Sequence, residues 1–549
     1  MAGVDQSLTA VDVLSVNALR DQVVAEALAA DLGDLPVSTL GFLRLAVLDW
    51  VGVTVAGAGE PSARLLQGFV VDEGGTPVSR ALGTGLRMSA RQAALVNGAA
   101  GHALDFDDMG LGGTHPSVAI LPAVFALAEK RHAGGRALAD ALLAGYQALA
   151  RISYASGWSG YRRGFHATGT VGTLAAAVAC AKLLDLDAAG YRSALGLAAT
   201  QAAGLKVSFG TMAKHLNAGK AAANGLLAAE LAAVGFTAAD DALEGNQGFL
   251  RTHGDIDDFD LGRADQVLGS GHAVTQLMFK PHAACGGTHS TIDSISRAVG
   301  DGPIELADIE RVDVTVAADL LDMCGIPEPR TGLEGKFSLR HAAALALRRS
   351  STGPSGFTDQ AVLDPANRAA RALVHITTSS RLAVDGPAEV DVRLSNGEHR
   401  CASVNPYVPI PEGELRTRYG IFAGKFSELV TPVLGQRQTA ELLEAISTFE
   451  DSDDVTAFTR LTATGETRLA RRWVRARQSF SILSTRRWKV RSPHDSPLCS
   501  SHSTARPQGC SATQPAGGVL GARKRRSQAG HSRGGDQRVF RQGFVRCPG

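Results

Sequence analysis

The chain has 549 residues, 44% of them hydrophobic and 20% charged, so it can bury large cores and is neither low-complexity nor fibrous in composition. Its net charge of +1 conceals an asymmetry: residues 471–549 hold 17 Lys and Arg against 2 Asp and Glu, so an acidic body precedes a basic tail. That split excludes a uniformly basic nucleic-acid binder. Length alone predicts about three or four domains. The opening stretch, MAGVDQSLTAVDVLSVNALR, has no basic residue before Arg20 and no compact apolar core, so no secretory signal is expected. No apolar run is expected to reach the length that crosses a bilayer. Cys180, Cys285, Cys324, Cys401, Cys499, Cys510 and Cys547 show neither metal-like nor paired spacing, which predicts reduced thiols in a cytoplasmic protein.

Residues 14–32 and 36–56 read as helices, the second from LPVSTLGFLRLAVLDWVGVTVAGAGEP, apolar at helical spacing and closed by Gly and Pro. Residues 61–85 read as a helix and a short extended link. Then comes NGAAGHALDFDDMGLGGTHPS, from Asn97 to Ser117, with two histidines and three carboxylates in one short stretch. Periodicity predicts a helix from Arg91 to Met109, with His102, Asp105, Asp108 and Met109 on one face and Asp107 on another. The cluster of Gly110, Gly112 and Gly113 is expected to break that helix. His115 precedes Pro116 and so favours an extended backbone, and a new helix is expected near Ser117, its cap. This geometry would deliver Asp105 and His115 to one space as an acid–base pair. Spacing alone leaves two other readings open: a solvated helix end, and a divalent-cation site using Asp105 and Asp108.

From Ser117 to about Gly235 a succession of Ala-rich helices is expected at 117–132, 136–156, 170–184, 188–204 and 217–234, with no repeated motif. His166, in GFHATGTVGT, sits before small residues that open a helix, where free N–H groups favour an anion and Thr168 and Thr170 add hydroxyls. Lys214, in SFGTMAKHLNAGKAAANG, is expected in a Gly-rich loop entering a cleft, with Lys220 one turn into the following helix. Residues 255–272 read as a connection. FKPHAACGGTHST then carries Lys280, Cys285 and His289. Alternating Val312, Val314 and Val316 predict a strand, and residues 335–349 a helix. Val390, Val392 and Leu394 predict a second strand that turns at Asn396-Gly397, since both residues tolerate positive φ. Helical periodicity returns over 412–469.

Several of these stretches resemble the MmgE/PrpD family: HALDFDD followed by THPS and an apolar helix, LAVLDWVGVTVAG, FHATGTVGTLAAA, the lysine before the helix at residue 217, the Lys280–Cys285 stretch and Lys-Phe-Ser at 336–338. That family includes 2-methylcitrate dehydratase, cis-aconitate decarboxylase and an iminodisuccinate epimerase, and the resemblance covers roughly residues 10–470. It implies a mainly α fold with an α+β part. A large all-helical domain would span 1–272 and a smaller α+β lid domain 273–411. Residues 412–470 would return to the large domain; beyond the resemblance, the basic low-complexity tail, 471–549, lacks periodicity and is expected to be disordered. A homodimer with its cleft between domains is implied, acting on a small-molecule carboxylate with no metal and no organic cofactor. Neither a membrane nor, despite the basic tail, a nucleic acid is expected as partner.

The residue types and the resemblance together nominate Asp105, His115, His166, Lys214 and Lys280 as catalytic, and His102, Thr168, Cys285 and His289 as substrate-binding. Histidines can move protons near neutrality, and lysines can hold carboxylates or act as bases. The implied activity is cofactor-independent acid–base lyase chemistry on a di- or tricarboxylate, with dehydration of a 2-methylcitrate-like hydroxy acid in the lead. Decarboxylation of a cis-aconitate type and epimerisation of an iminodisuccinate type are the family alternatives. Met109 and Cys285 stand where the family's decarboxylases carry threonine and can carry histidine, and both argue against that branch. Two readings from other classes remain: a magnesium-dependent lyase or hydrolase using Asp105 and Asp108, and a catalytically silent relative whose tail binds polyanions.

Overall fold

The computed structural model describes residues 18–464 apart from Ser270 and residues 301–303. The basic tail expected over 471–549 lies outside the described residues. Helices of eight residues or more are numbered in chain order. The first nine are α1 (Ala18–Ala29), α2 (Val37–Gly57), α3 (Pro61–Glu73), α4 (Ala90–Ala103), α5 (Pro116–Arg131), α6 (Gly135–Ser156), α7 (Ala167–Leu183), α8 (Ala188–Ala199) and α9 (Met212–Ala233). A two-residue hairpin ladder, β1 (Ser79–Arg80) with β2 (Arg87–Met88), separates α3 from α4.

These helices share one large apolar core in which alanines let backbones approach closely. One such approach organises the site. A Cβ on Gly98 of α4 would lie 2.8 Å from the Gly219 Cα of α9, and one on Gly219 would lie 2.3 Å from the Leu95 carbonyl oxygen. Only glycine at both positions permits that crossing. It sets the C-terminal end of α4 beside the N-terminal end of α9, and so His102 beside His215, with ring centroids 6.2 Å apart.

Helix α2 corrects one expectation: Val37–Gly57 is long and apolar enough to cross a membrane, although 78% of its most apolar window is buried inside the protein. From Leu45 to Val55 every residue is buried, so both faces of that stretch are packed rather than one.

The α+β part contains α10 (His289–Val299), α11 (Leu339–Leu347) and α12 (Pro365–Ala372), with β3 (Ile309–Val316), β4 (Val374–Thr378), β5 (Ala388–Leu394) and β6 (His399–Val404). The sheet order is β4-β3-β5-β6, parallel between β3 and β4 and antiparallel elsewhere. Val312, Val314, Val316, Val390, Val392 and Leu394 face a second apolar core shared with Ile292 and Ile295 of α10. The β5–β6 turn falls at Asn396-Gly397, with Gly397 at φ 84°. The chain then returns through α13 (Leu415–Leu434) and α14 (Gln436–Ser447), whose Phe422, Phe426, Val430, Leu442 and Ile446 belong to the first core. The protein is thus mainly α with an α+β part.

Three local expectations need correction. Helix α4 stops at Ala103, not Met109, because Asp105 takes a left-handed φ of 51° and the chain leaves the helix before the glycines. Ser117 does not cap α5; His115 is the N-cap, Pro116 fills the first helical position and Ser117 lies inside the first turn. Lys214 is not in a loop either. Thr211 caps α9 by accepting from the Ala213 N–H, which starts the helix early and puts Lys214 in its first turn.

Candidate active site

The segment after α4 is held by lysines from three distant parts of the chain. Lys336 Nζ donates to the carbonyls of Ala103 (3.1 Å) and Leu104 (2.7 Å). Lys280 Nζ donates to the Asp105 carbonyl at 3.0 Å, and Lys425 Nζ to the Phe106 carbonyl at 2.7 Å. Four consecutive carbonyls at the negative end of a helix thus meet ammonium groups, as the helix dipole favours. The arrangement fixes the loop on which the acidic residues sit. Burial pulls Lys336 down to about 8, and it lowers Lys425 against the opposing pull of Asp49.

Asp105 is the hub of this arrangement. Its Oδ1 accepts from Lys280 at 2.6 Å and its Oδ2 from Lys214 at 2.8 Å. Burial pushes the Asp105 carboxyl up, but Lys214 and Lys280 outweigh it and hold it well below the usual carboxylate range. Lys280 also donates to Ala284 O at 3.0 Å, so all three ammonium protons have acceptors. It clamps Asp105 and has no proton left for a substrate. Lys214 differs, because Asp105 Oδ2 takes one of its protons and its ammonium lines a cavity.

The residue that orders the histidines is Asp107, which the sequence pattern had turned away from them. Its carboxylate lies 3.0 Å (Oδ2) and 3.1 Å (Oδ1) from His102 Nδ1, and its Oδ2 lies 2.9 Å from His115 Nδ1. Asp105 makes no such contact with His115. Burial keeps both imidazoles neutral, His115 down at about 3; burial also pushes Asp107 up, but the facing His102 and His115 rings outweigh it and hold the carboxyl well below its ordinary value. His115 Nδ1 also faces the Asp108 carbonyl at 3.0 Å. With acceptors at Nδ1, the proton sits there and the Nε2 lone pair is free. His102 takes the same tautomer toward Asp107, which leaves its fully buried Nε2 without a hydrogen-bond partner.

His166 has the opposite tautomer. Asn217 Nδ2 donates to His166 Nδ1 at 3.2 Å, so His166 Nε2 carries the proton. Thr168 is buried behind the site, where its hydroxyl accepts from the His115 N–H at 3.0 Å. His115, His166, Lys214 and Cys285 line one cavity of about 360 Å³, together with Met109 and Met278. A hydrogen bond from the Cys324 thiol, opposed by burial, lowers the Cys285 thiol. His289 does not reach this cavity: it lies in a larger groove of about 1130 Å³ with its Nε2 3.3 Å from the Ala284 carbonyl. That groove contains neither His115, His166 nor Lys214.

Asp108 cannot serve the magnesium reading. Its Oδ1 accepts from the Ser117 N–H at 3.1 Å and its Oδ2 meets the Ser117 hydroxyl, while burial and Asp49 push it well above the carboxylate range. Ligand atoms of His102, Asp105, Asp107 and His115 do lie within 4.8 Å of one another. Both Asp105 oxygens already hold ammonium groups, however, so two positive charges stand where a cation would bind. The donor set does not fit a divalent ion.

Comparison with known proteins decides the family. Residues 23–262 match the MmgE/PrpD N-terminal domain and residues 282–451 the MmgE/PrpD C-terminal domain. The chain belongs to the MmgE/PrpD family. A cis-aconitate decarboxylase of Aspergillus terreus is 32% identical over 346 residues, which is 59% of this chain and 70% of the relative. The mouse (Mus musculus) cis-aconitate decarboxylase is 26% identical over 469 residues, 80% of this chain and 93% of the relative. The human (Homo sapiens) cis-aconitate decarboxylase is 36% identical over 220 residues, 38% of this chain and 44% of the relative. The chain is therefore a member of a lyase family. In this MmgE/PrpD protein the sequence pattern missed Asp107, Asn217, Lys336 and Lys425. Lys336 had a signal in the Lys-Phe-Ser stretch, and Lys425 had one in Asp49, a carboxylate within the apolar run LAVLDWVGVTVAG that needs a buried partner.

Proposed function

We propose that this chain is a cofactor-independent lyase that removes water from a small hydroxy-carboxylate by acid–base chemistry at the Asp107–His115–His166–Lys214 cluster. The observation that carries the reading is the pair of opposite tautomers facing one cavity: His115 offers a lone pair at Nε2, and His166 offers an N–H. Lys214 receives the carboxylate and stabilises the charge that develops beside it as the adjacent C–H loses its proton. His115 Nε2 takes that proton, and Asp107 stabilises the imidazolium that results. His166 Nε2–H holds the departing hydroxyl. The imidazolium returns its proton to that oxygen as the C–O bond breaks and the C=C bond forms, so water leaves and His115 is again neutral.

A second reading, decarboxylation, is supported by the names of the relatives; there the carbanion left by carbon dioxide would take a proton from the Lys214 ammonium, which solvent then restores. Purified protein incubated with 2-methylcitrate, citrate, cis-aconitate and iminodisuccinate, followed by NMR and carbon dioxide release, separates the two. Alkene formation without carbon dioxide supports dehydration; carbon dioxide release supports the second reading; no turnover of any hydroxy acid removes the first. We carry the homodimer as part of the same proposal, and sedimentation that shows a fully active monomer would remove it.

A further inference from the structure

Two free thiols face each other across the wall of the 360 Å³ cavity. Cys285 lines the cavity, and Cys324 lies behind it, fully buried in the α+β core. The Cys324 thiol donates a hydrogen bond to the Cys285 sulfur, and it shares its one proton with the Leu320 carbonyl, 3.3 Å away.

The backbone holds the two sulfurs in place. The Cys285 N–H donates to the Lys336 carbonyl at 3.0 Å, and the Ile326 N–H, two residues past Cys324, donates to the Phe337 carbonyl at 3.1 Å. The segments that carry the cysteines are thus pinned to neighbouring residues of one stretch. Gly287 supplies the room: a Cβ there would lie 3.0 Å from Cys324 Sγ and 2.8 Å from Leu320 Cδ2. Any larger residue would push Cys324 away from the Cys285 turn.

The thiols are unequal. The Cys324 hydrogen bond, helped by the charges of Lys214 and Lys280, outweighs burial and lowers the Cys285 thiol. The same hydrogen bond and burial push the Cys324 thiol well above its ordinary value. A lowered thiol that faces a cavity attacks small electrophiles, and a second sulfur at its back can displace the group it takes up.

We propose that Cys285 and Cys324 form an oxidation site for small peroxides that enter the cavity, with Cys285 as the attacking sulfur and Cys324 as the resolving one. The site does not depend on which reaction the cavity performs. The Cys285 sulfur attacks hydrogen peroxide, so the O–O bond breaks and an S–O bond forms. The thiol proton leaves with the displaced hydroxide as water. Cys324 then attacks the Cys285 sulfenic acid, and the S–S bond forms as the S–O bond breaks. The Cys324 proton leaves with the hydroxyl as a second water. Peroxide is reduced, both thiols are oxidised, and a dithiol restores them by exchange. The disulfide stops Cys285 short of the sulfinic acid, which dithiols do not reverse.

Peptide mass spectrometry on the full chain tests the proposal, after treatment of the reduced protein with hydrogen peroxide and quenching by alkylation. A linked Cys285–Cys324 peptide is expected, and dithiothreitol should return both thiols. Cys180, fully buried in the helical core with its thiol pushed up by burial, is the internal control and should react at least about tenfold more slowly. In Cys324→Ser, Cys285 should pass on to the sulfinic acid and resist recovery by dithiothreitol. In Cys285→Ser, Cys324 should stay reduced, because it does not line the cavity. The proposal is overturned if Cys285 in the wild type stays a thiol, goes to the sulfinic acid or pairs with another cysteine. Full recovery of Cys285 in Cys324→Ser overturns the resolving role. The wild-type map decides the matter even where a variant fails to fold.

Discussion

Asp107 Oδ2 lies 2.9 Å from His115 Nδ1, and the same carboxylate holds His102 on its other side. That buried anion sets the tautomer of His102 and, together with the Asp108 carbonyl 3.0 Å from Nδ1, that of His115, while Asp105, two residues earlier, is left to the lysines. The division of labour is physical: a carboxylate already shared by two ammonium groups is a poor partner for a histidine that must gain a proton.

The pH profile of kcat/KM should reflect that division. His115 is the base in its neutral form, and burial places it at about 3, so activity should persist well below pH 6.5 and fall only as pH drops toward that value. On the alkaline side Lys336, at about 8, loses the charge that caps Ala103 and Leu104, and activity should fall as pH rises through about 8. Lys336→Arg keeps the charge, so it should move the alkaline limb upward; an unmoved limb would assign it to another group.

Lys214 and Lys280 should behave differently when removed. Lys214→Met takes away the cation that lines the cavity, so KM should rise and kcat should fall. Lys280→Met leaves Asp105 with one partner and empties three hydrogen bonds, so its first effect should be on stability, on the order of 3–5 kcal/mol for breaking a buried pair. Urea unfolding beside steady-state kinetics checks both. Equal melting and equal KM in the two variants would contradict the assignment.

Lys425 should act on the site without touching substrate. Its Nζ donates to Asp49 Oδ1 (2.7 Å), Phe106 O (2.7 Å) and Lys280 O (3.1 Å), joining α2, the acidic loop and the Lys280 segment. Lys425→Met should strand Asp49 in an apolar core and lower the melting temperature sharply. Adding Asp49→Leu should restore much of that loss, because an apolar pair can replace a buried ion pair. Activity should recover less, since the carbonyls of Phe106 and Lys280 still lack their donor.

Acid should destabilise the fold before it reaches ordinary carboxylate values. His115 falls from 6.5 to about 3 and His341 from 6.5 to about 4, both by burial. The unfolded chain then binds protons below 6.5 that the folded chain refuses, so stability is full above about 6.5 and lost progressively toward 3. Asp105 and Asp107, lowered in the fold, push the same way at lower pH. Glu244 opposes them: raised from 4.5 to about 7, it contributes stability that is full below about 4.5 and lost as pH rises through 7. Chemical denaturation at a series of pH values should therefore show a fall below pH 6.5; a flat profile to pH 4 would contradict it.

The helices, the β5–β6 turn and the mainly α class with an α+β part were legible in the pattern of apolar residues, as a stripe, an alternation or, for Val37–Gly57 and Ala167–Leu183, a long apolar run. The end of α4 was not. Apolar spacing continues through Leu104 and Phe106, and nothing local announces that Lys336, Lys280 and Lys425 will take over the carbonyls from residues far along the chain. Once Asp105 turns left-handed the face arithmetic changes, and Asp107 replaces Asp105 beside His115. Lys214 and Lys280 were both read as cations for the site, but only the proton count on each ammonium separates a clamp from a ligand. Asn217 was invisible for the same reason: its meaning lies in which nitrogen of His166 it meets.

The most direct test of the acid–base account is turnover of the best acid in the substrate panel by His115→Gln and Asp107→Asn, with circular dichroism and melting temperature measured alongside. The account predicts that both remain folded and that each loses about 10²–10⁴-fold in kcat, the usual scale for a lost or misdirected proton carrier. Near wild-type turnover in both variants would contradict it.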